Sequence, residues 1–159
     1  MIIRTELIQD TCNKILPAVD DSAIGVVTEM LELTASGDTL KLAVTNKEYF
    51  AEGVLALGET VEDLHATVNP KLFLKLLAQM SSDTIEFRVN DNALIVKGSG
   101  TYKLPLIFED DSLMTLPAIT IENVTSTMTV EGDVLVSILQ YNSKEIQKSS
   151  VVRPIQKLY

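Results

Sequence analysis

Leu64-His65-Ala66-Thr67-Val68-Asn69-Pro70-Lys71-Leu72-Phe73-Leu74-Lys75-Leu76-Leu77-Ala78-Gln79-Met80-Ser81-Ser82 joins a short strand-like run to a helix, and this junction sets how the rest of the chain reads. Residues 64–68 are short and β-prone. Asn69 is a good N-cap, and Pro70 suits the first helical position, where its fixed φ fits and its missing N–H is not needed. Leu72, Leu76, Leu77 and Met80 then recur at helical spacing and predict an apolar stripe that ends at Ser81-Ser82. Lys71, Lys75 and Gln79 stand at i, i+4 and i+8 and share a different face.

Downstream of this helix the pattern changes to period two. Thr84-Ile85-Glu86-Phe87-Arg88-Val89 predicts a strand, Asn90-Asp91-Asn92 a turn, Ala93-Leu94-Ile95-Val96 a strand, Gly98-Ser99-Gly100 a turn, and residues 101–108 a last strand. Upstream the same order occurs once already. Residues 1–7 read as extended, and Ile8, Cys12, Ile15, Leu16 and Val19 mark an amphipathic helix with Thr5 as its cap. Pro17 and the cluster Asp20-Asp21-Ser22 close it. Strands follow at residues 25–35, 39–44 and 49–57, the first two joined by the hairpin signal Ser36-Gly37-Asp38.

The chain therefore repeats strand, helix, strand, hairpin, strand with a period of about 60 residues. The expected class is α+β: two β-α-β-β-β units that pair their helices and join their sheets around a common core. The two cycles, 1–60 and 61–108, make one domain, 1–108. Residues 109–123, which carry acids, Ser112, Pro117 and no base, read as a connector. A third cycle then opens over 124–159. It has a strand at Ser126-Thr127-Met128-Thr129-Val130, a helix start at Gly132-Asp133, a helix marked by Leu135, Ile138, Leu139 and Ile146, and a partial strand at 151–159.

Charge is unevenly placed. The formal net charge is −9, which by itself argues against a phosphate partner. Residues 20–40 hold five acids and no Lys or Arg, and residues 48–63 again five acids and no base, whereas residues 69–82 hold Lys71, Lys75 and no acid. No apolar run approaches the roughly 18 residues of a membrane span, so no membrane partner is expected. The first ten residues lack the pattern of an export signal, and the single cysteine cannot form an internal disulfide, which together fit the cytoplasm.

No catalytic constellation emerges. The one histidine, His65, lies in a predicted strand, and Cys12 lies on the apolar stripe of the first helix, where a small core residue is the simpler reading. There is no Cys/His cluster for a metal and no glycine-rich phosphate loop, so neither a metal nor a cofactor is expected.

Several stretches resemble the bacterial and phage DNA polymerase sliding clamp, the β subunit of the replicative polymerase. They are Ile2-Ile3-Arg4-Thr5-Glu6-Leu7-Ile8, Gly37-Asp38-Thr39-Leu40-Lys41-Leu42, Val68-Asn69-Pro70-Lys71-Leu72-Phe73, and Val96-Lys97-Gly98-Ser99-Gly100-Thr101-Tyr102-Lys103-Leu104-Pro105. The resemblance covers essentially the whole chain and rests on the order and spacing of these stretches. It implies the DNA-clamp fold, one complete first domain and the beginning of a second.

It further implies a non-catalytic processivity factor that encircles double-stranded DNA through sequence-independent phosphate contacts. The helices would face the DNA, which nominates Lys71, Lys75 and Gln79 on the second helix. Lys144 and Lys148 join them if the third-cycle helix extends that far, and Lys14 joins from the first helix, where Asp10 shares its face. The strand around Tyr102, Lys103 and Leu104 resembles the edge that pairs with a neighbouring subunit. Tyr102 and Leu104 could equally fill the domain's own core. Replicative polymerase and clamp loader would bind through parts of the clamp that this chain lacks, and self-association of the chain is expected. The competing reading is a clamp-like interaction module that does not encircle DNA.

Overall fold

The computed structural model describes residues 1–19, 30–45, 49–117 and 124–143, with side chains to residue 141. The chain divides into two compact units, Met1–Ala118 and Ile119–Tyr159.

In the first unit β1 (Ile2–Arg4) runs directly into α1 (Thr5–Ile15), followed by a single 3-10 turn, Leu16–Ala18, with Pro17 in its first turn. The expectation that Thr5 caps the helix is not met. Arg4 takes the cap position without a side-chain bond, and Thr5 is the first helical residue. Its backbone N–H donates to Asp83 O at 2.9 Å and its hydroxyl to Ser82 O, so its polar groups are used to tie α1 to the residues just before the strand that begins at Thr84. Ile8, Cys12 and Ile15 are buried as their spacing predicts.

The second helix, α2 (Pro70–Ala78), starts as its sequence predicts, with the Asn69 side chain accepting from Leu72 N–H at 3.0 Å. Its phase differs from the expected stripe. Leu72 is 49% exposed and Phe73 is fully buried, so the core face is Phe73, Leu76, Leu77 and Met80. These four stand at i, i+3, i+4 and i+7, a better helical stripe than one anchored on Leu72. The Phe73 ring sits 6.0 Å from that of Phe87, which fixes this face against the strand Thr84–Asn90.

One sheet has the order β1-β4-β5-β6, with β4 (Thr84–Asn90), β5 (Ala93–Lys97) and β6 (Thr101–Pro105), all antiparallel. The opening strand of the first cycle thus completes the sheet of the second, through Ile2 opposite Glu86 and Arg4 opposite Thr84. The other sheet is formed by β2 (Leu31–Thr45) and β3 (Phe50–Val68). Its ladder falls in two parts, one from Leu31 opposite Val68 to Ala35 opposite Leu64, the other from Thr39 opposite Ala56 to Thr45 opposite Phe50.

Between those parts β2 turns at Gly37, which has φ +60°, and the Thr39 hydroxyl donates back to Ser36 O. Met30 and Ala43 lie in one small core cluster with Leu116. A straight strand would hold Met30 and Ala43 about 40 Å apart. The chain therefore doubles back at the hairpin signal Ser36-Gly37-Asp38, although pairing with β3 continues through it. The second cycle's opening strand, residues 64–68, closes the first cycle's sheet in return, and the exchange is reciprocal.

The stretch expected as a pure connector is partly structured. β7 (Phe108–Glu109) and β8 (Ser112–Leu113) form a two-residue hairpin. Asp110 and Asp111 hold φ of +47° and +61°, the two left-handed positions a type I′ turn requires. Beyond it Leu116 is buried, its N–H donates to Glu32 Oε2, and Thr67 Oγ1 donates to Met114 O. These residues belong to the compact unit Met1–Ala118.

In the second unit α3 (Gly132–Ser143) forms where Gly132-Asp133 predicts it. Residues 124–130 form no strand, so the expectation at residues 126–130 is not met. A strand needs a partner to hold it, and no described residue pairs with these. Ile146 and the strand expected at 151–159 lie outside the described residues.

Candidate nucleic-acid interface

α1 and α2 lie side by side. Gln9 Nε2 on α1 donates to Leu77 O on α2 at 2.7 Å, and Ile8, Cys12, Phe73 and Leu77 enter the same core cluster. α1 also rests tightly on β3, where a Cβ on Gly53 would collide with the Thr11 methyl group. With both inner faces committed to one core, the outer faces of the two helices look away from it together.

On α2 that outer face carries Lys71, Leu72, Lys75 and, at the C-cap, Gln79, all exposed. Lys75 lies in the last turn, where the partial negative charge of the helix end favours a cation. On α1 the outer face is mixed: Glu6, Asp10, Asn13 and Lys14 are exposed, and Asp10 and Lys14 form no ion pair with each other among the described residues. Lys14 is also in a last turn. Lys71, Lys75 and Gln79 are thus exposed on α2 and Lys14 on α1, with the greater share of positive charge on α2. Lys144 and Lys148 lie outside the described residues.

β6 is a terminal strand of its sheet. Leu104 is buried in the domain's own core, whereas Tyr102 is 36% exposed and its ring closes over Gly100. Lys103 and Pro105 are exposed, and a proline lacking its N–H is tolerated at such an edge.

Groups that sequence reading weighed for chemistry are structural. Cys12 is fully buried, and burial pushes its thiol up to about 12, which keeps it protonated and unreactive. His65 Nε2 meets Glu32 Oε1 at 2.7 Å, and the other oxygen of that carboxylate accepts from Leu116 N–H. The pair therefore joins β2, β3 and the segment after β8. Among the described residues no group of three or more His, Cys, Asp or Glu is placed to hold a metal, and no helix is long and apolar enough to cross a membrane.

Two β-α-β-β-β cycles that exchange opening strands, with paired helices over antiparallel sheets, define the DNA-clamp fold. The fold is that of the β sliding clamps of DNA polymerase III. Over 98% of this chain it matches the DNA polymerase III subunit β of Pseudomonas aeruginosa, with a TM-score of 0.84 and 18% identity. The Helicobacter pylori β clamp, solved with a DNA ligase peptide bound, matches over 96% with a TM-score of 0.82 and 16% identity. The Thermotoga maritima β subunit matches over 87% with a TM-score of 0.75 and 14% identity. The matched regions are 42%, 42% and 37% of those chains, so this chain spans about two fifths of their length. No protein-family model and no curated protein matches the sequence.

Proposed function

We propose that this chain is a sliding-clamp subunit, or the first part of one: a non-catalytic processivity factor that surrounds duplex DNA and tethers a replicative polymerase. The observation that carries the reading is the pairing of a clamp fold along nearly the whole chain with an α2 surface that bears Lys71 and Lys75 and no acid. In this reading Met1–Ala118 is the first clamp domain and the rest opens the second. Lys71, Lys75, Gln79 and Lys14 approach phosphates, joined by Lys144 and Lys148. The β6 edge around Tyr102, Lys103 and Leu104 meets a neighbouring subunit in a ring through its unpaired backbone, which leaves the outward Lys103 side chain on the sheet face. Polymerase and clamp loader dock on parts of the clamp beyond this chain, in the cytoplasm. Sliding demands contacts that ignore base identity, and point charges on a helix meet that demand.

The test is duplex binding by fluorescence anisotropy across a salt series. Each lost phosphate contact reduces the log–log salt slope by about 0.9, so Lys71→Ala with Lys75→Ala is expected to reduce it by about 2, equally for unrelated sequences. An unchanged slope would overturn the assignment of this face. A second reading, a clamp-like module that binds a replication protein without encircling DNA, is favoured by the outward acids Glu6 and Asp10 on α1. It expects no duplex binding at low salt and no retention on circular DNA.

A further inference from the structure

The face of the β1-β4-β5-β6 sheet that points away from the helices carries a second concentration of positive charge. Alternation along the strands puts Ile3, Ile85, Phe87, Leu94, Val96 and Leu104 inward, all buried. The register then sets Ile2, Glu86, Lys97 and Thr101 in one outward row and Arg88, Ile95 and Lys103 in the next, with Arg4 beside Thr84 at the end of β1. Four cations, Arg4, Arg88, Lys97 and Lys103, meet one acid, Glu86, which leaves four minus one, or +3, on a chain whose net charge is −9.

Glu86 holds Arg88 Nη2 at 3.2 Å and Lys97 Nζ at 3.8 Å, yet those two side chains remain 74% and 66% exposed. Lys103 and Arg4 are exposed and have no ion-pair partner among the described residues. Glu62 and Asp63 line a groove with Arg88 and bound the patch on that side, so its centre is Lys97, Ile95 and Lys103.

We infer that this outer face is a docking surface for an acidic peptide segment with apolar residues interspersed. Charge complementarity supplies the sign: an acidic protein that gathers cations on one flat face attracts acidic partners there and repels them elsewhere. The side chains between the cations choose the class. Ile2 is 55% exposed and Ile95 half-buried, which suits apolar peptide side chains. No aromatic side chain stands on this face, since Phe87 and Tyr102 alternate to the other side, so it offers no stacking platform for single-stranded bases. The surface is distinct from the helix face, because the sheet and the core lie between them.

The test uses the whole chain and three fluorescent probes of equal charge: a short peptide alternating glutamate and leucine, one alternating glutamate and serine, and oligothymidylate. The glutamate–leucine peptide is expected to bind best. Lys97→Glu with Lys103→Glu weakens it by more than about tenfold, whereas Lys71→Glu with Lys75→Glu leaves it unchanged. Glu86→Gln, which removes the one acid of the face, tightens binding several-fold, a gain that misfolding cannot produce. Tighter binding of oligothymidylate, an unchanged affinity in the Lys97/Lys103 variant, or no gain with Glu86→Gln would each overturn the inference.

Discussion

The rotation of α2 about its axis decides whether its lysines face outward, and two alanine substitutions at neighbouring positions measure it. Phe73 is fully buried against Phe87, whereas Leu72 is 49% exposed. Removing a buried phenylalanine side chain costs about 3–5 kcal/mol, because the transfer energy is lost and the cavity collapses only in part. Removing a leucine that is already half in water gives up about half of its burial energy, roughly 1 kcal/mol, and alanine returns a little as the better helix former. The chain has no tryptophan, so far-UV circular dichroism in a urea titration is the suitable signal. With a slope of about 2 kcal/mol per molar urea, Phe73→Ala lowers the midpoint by about 2 M and Leu72→Ala by at most about 0.5 M. Equal losses for the two, or a larger loss at Leu72, would mean that the helix is turned and that Lys71 and Lys75 do not share a solvent face.

Other consequences are open to direct measurement. Gly53→Ala sets a methyl group against Thr11 where α1 meets β3, and is expected to cost about 1–3 kcal/mol in the same titration, relieved by Thr11→Ser if the contact is the cause. Asn69→Ala removes the cap of α2 and is expected to cost about 1 kcal/mol, whereas Asn69→Asp keeps it. Because the folded Cys12 thiol is raised from 9.0 to about 12, its burial stabilises the fold fully below pH 9, and that contribution falls as pH climbs from 9 towards 12. Cys12→Ala should show a flatter alkaline decline, and the native thiol should react with a disulfide reagent only as fast as the core opens.

Local signals carried most of the first unit. The Asn69-Pro70 start, the turns at Asn90-Asp91-Asn92 and Gly98-Ser99-Gly100, and the reversal at Gly37 each follow from residues within a few positions of the feature. The misreading of α2 has an equally local cause: Leu72, Phe73 and Leu74 are consecutive apolar residues, and periodicity alone does not say which of them faces the core. What sequence could not supply was long-range. Nothing near residue 116 announces that Leu116 seats beside Met30 and Ala43, or that the acids after Phe108 bend into a tight hairpin rather than a free linker. The outer sheet face was missed for a related reason. Arg4, Arg88, Lys97 and Lys103 are scattered in sequence and become one patch only through strand register, whereas Lys71 and Lys75 advertise themselves at helical spacing.

The reciprocal exchange of opening strands bears on the birth of the protein. The Met1 amine donates to Phe87 O across 86 positions, and Phe87 N–H returns a bond to Met1 O. A ribosome must therefore release β4 before the first three residues have anything to pair with, and until then α1 has no finished sheet beneath it. Such distant closure slows folding relative to chains built from neighbouring contacts. The first half waits for the second during synthesis, and a nascent chain arrested before residue 90 should be a substrate for chaperones rather than a folded half-domain.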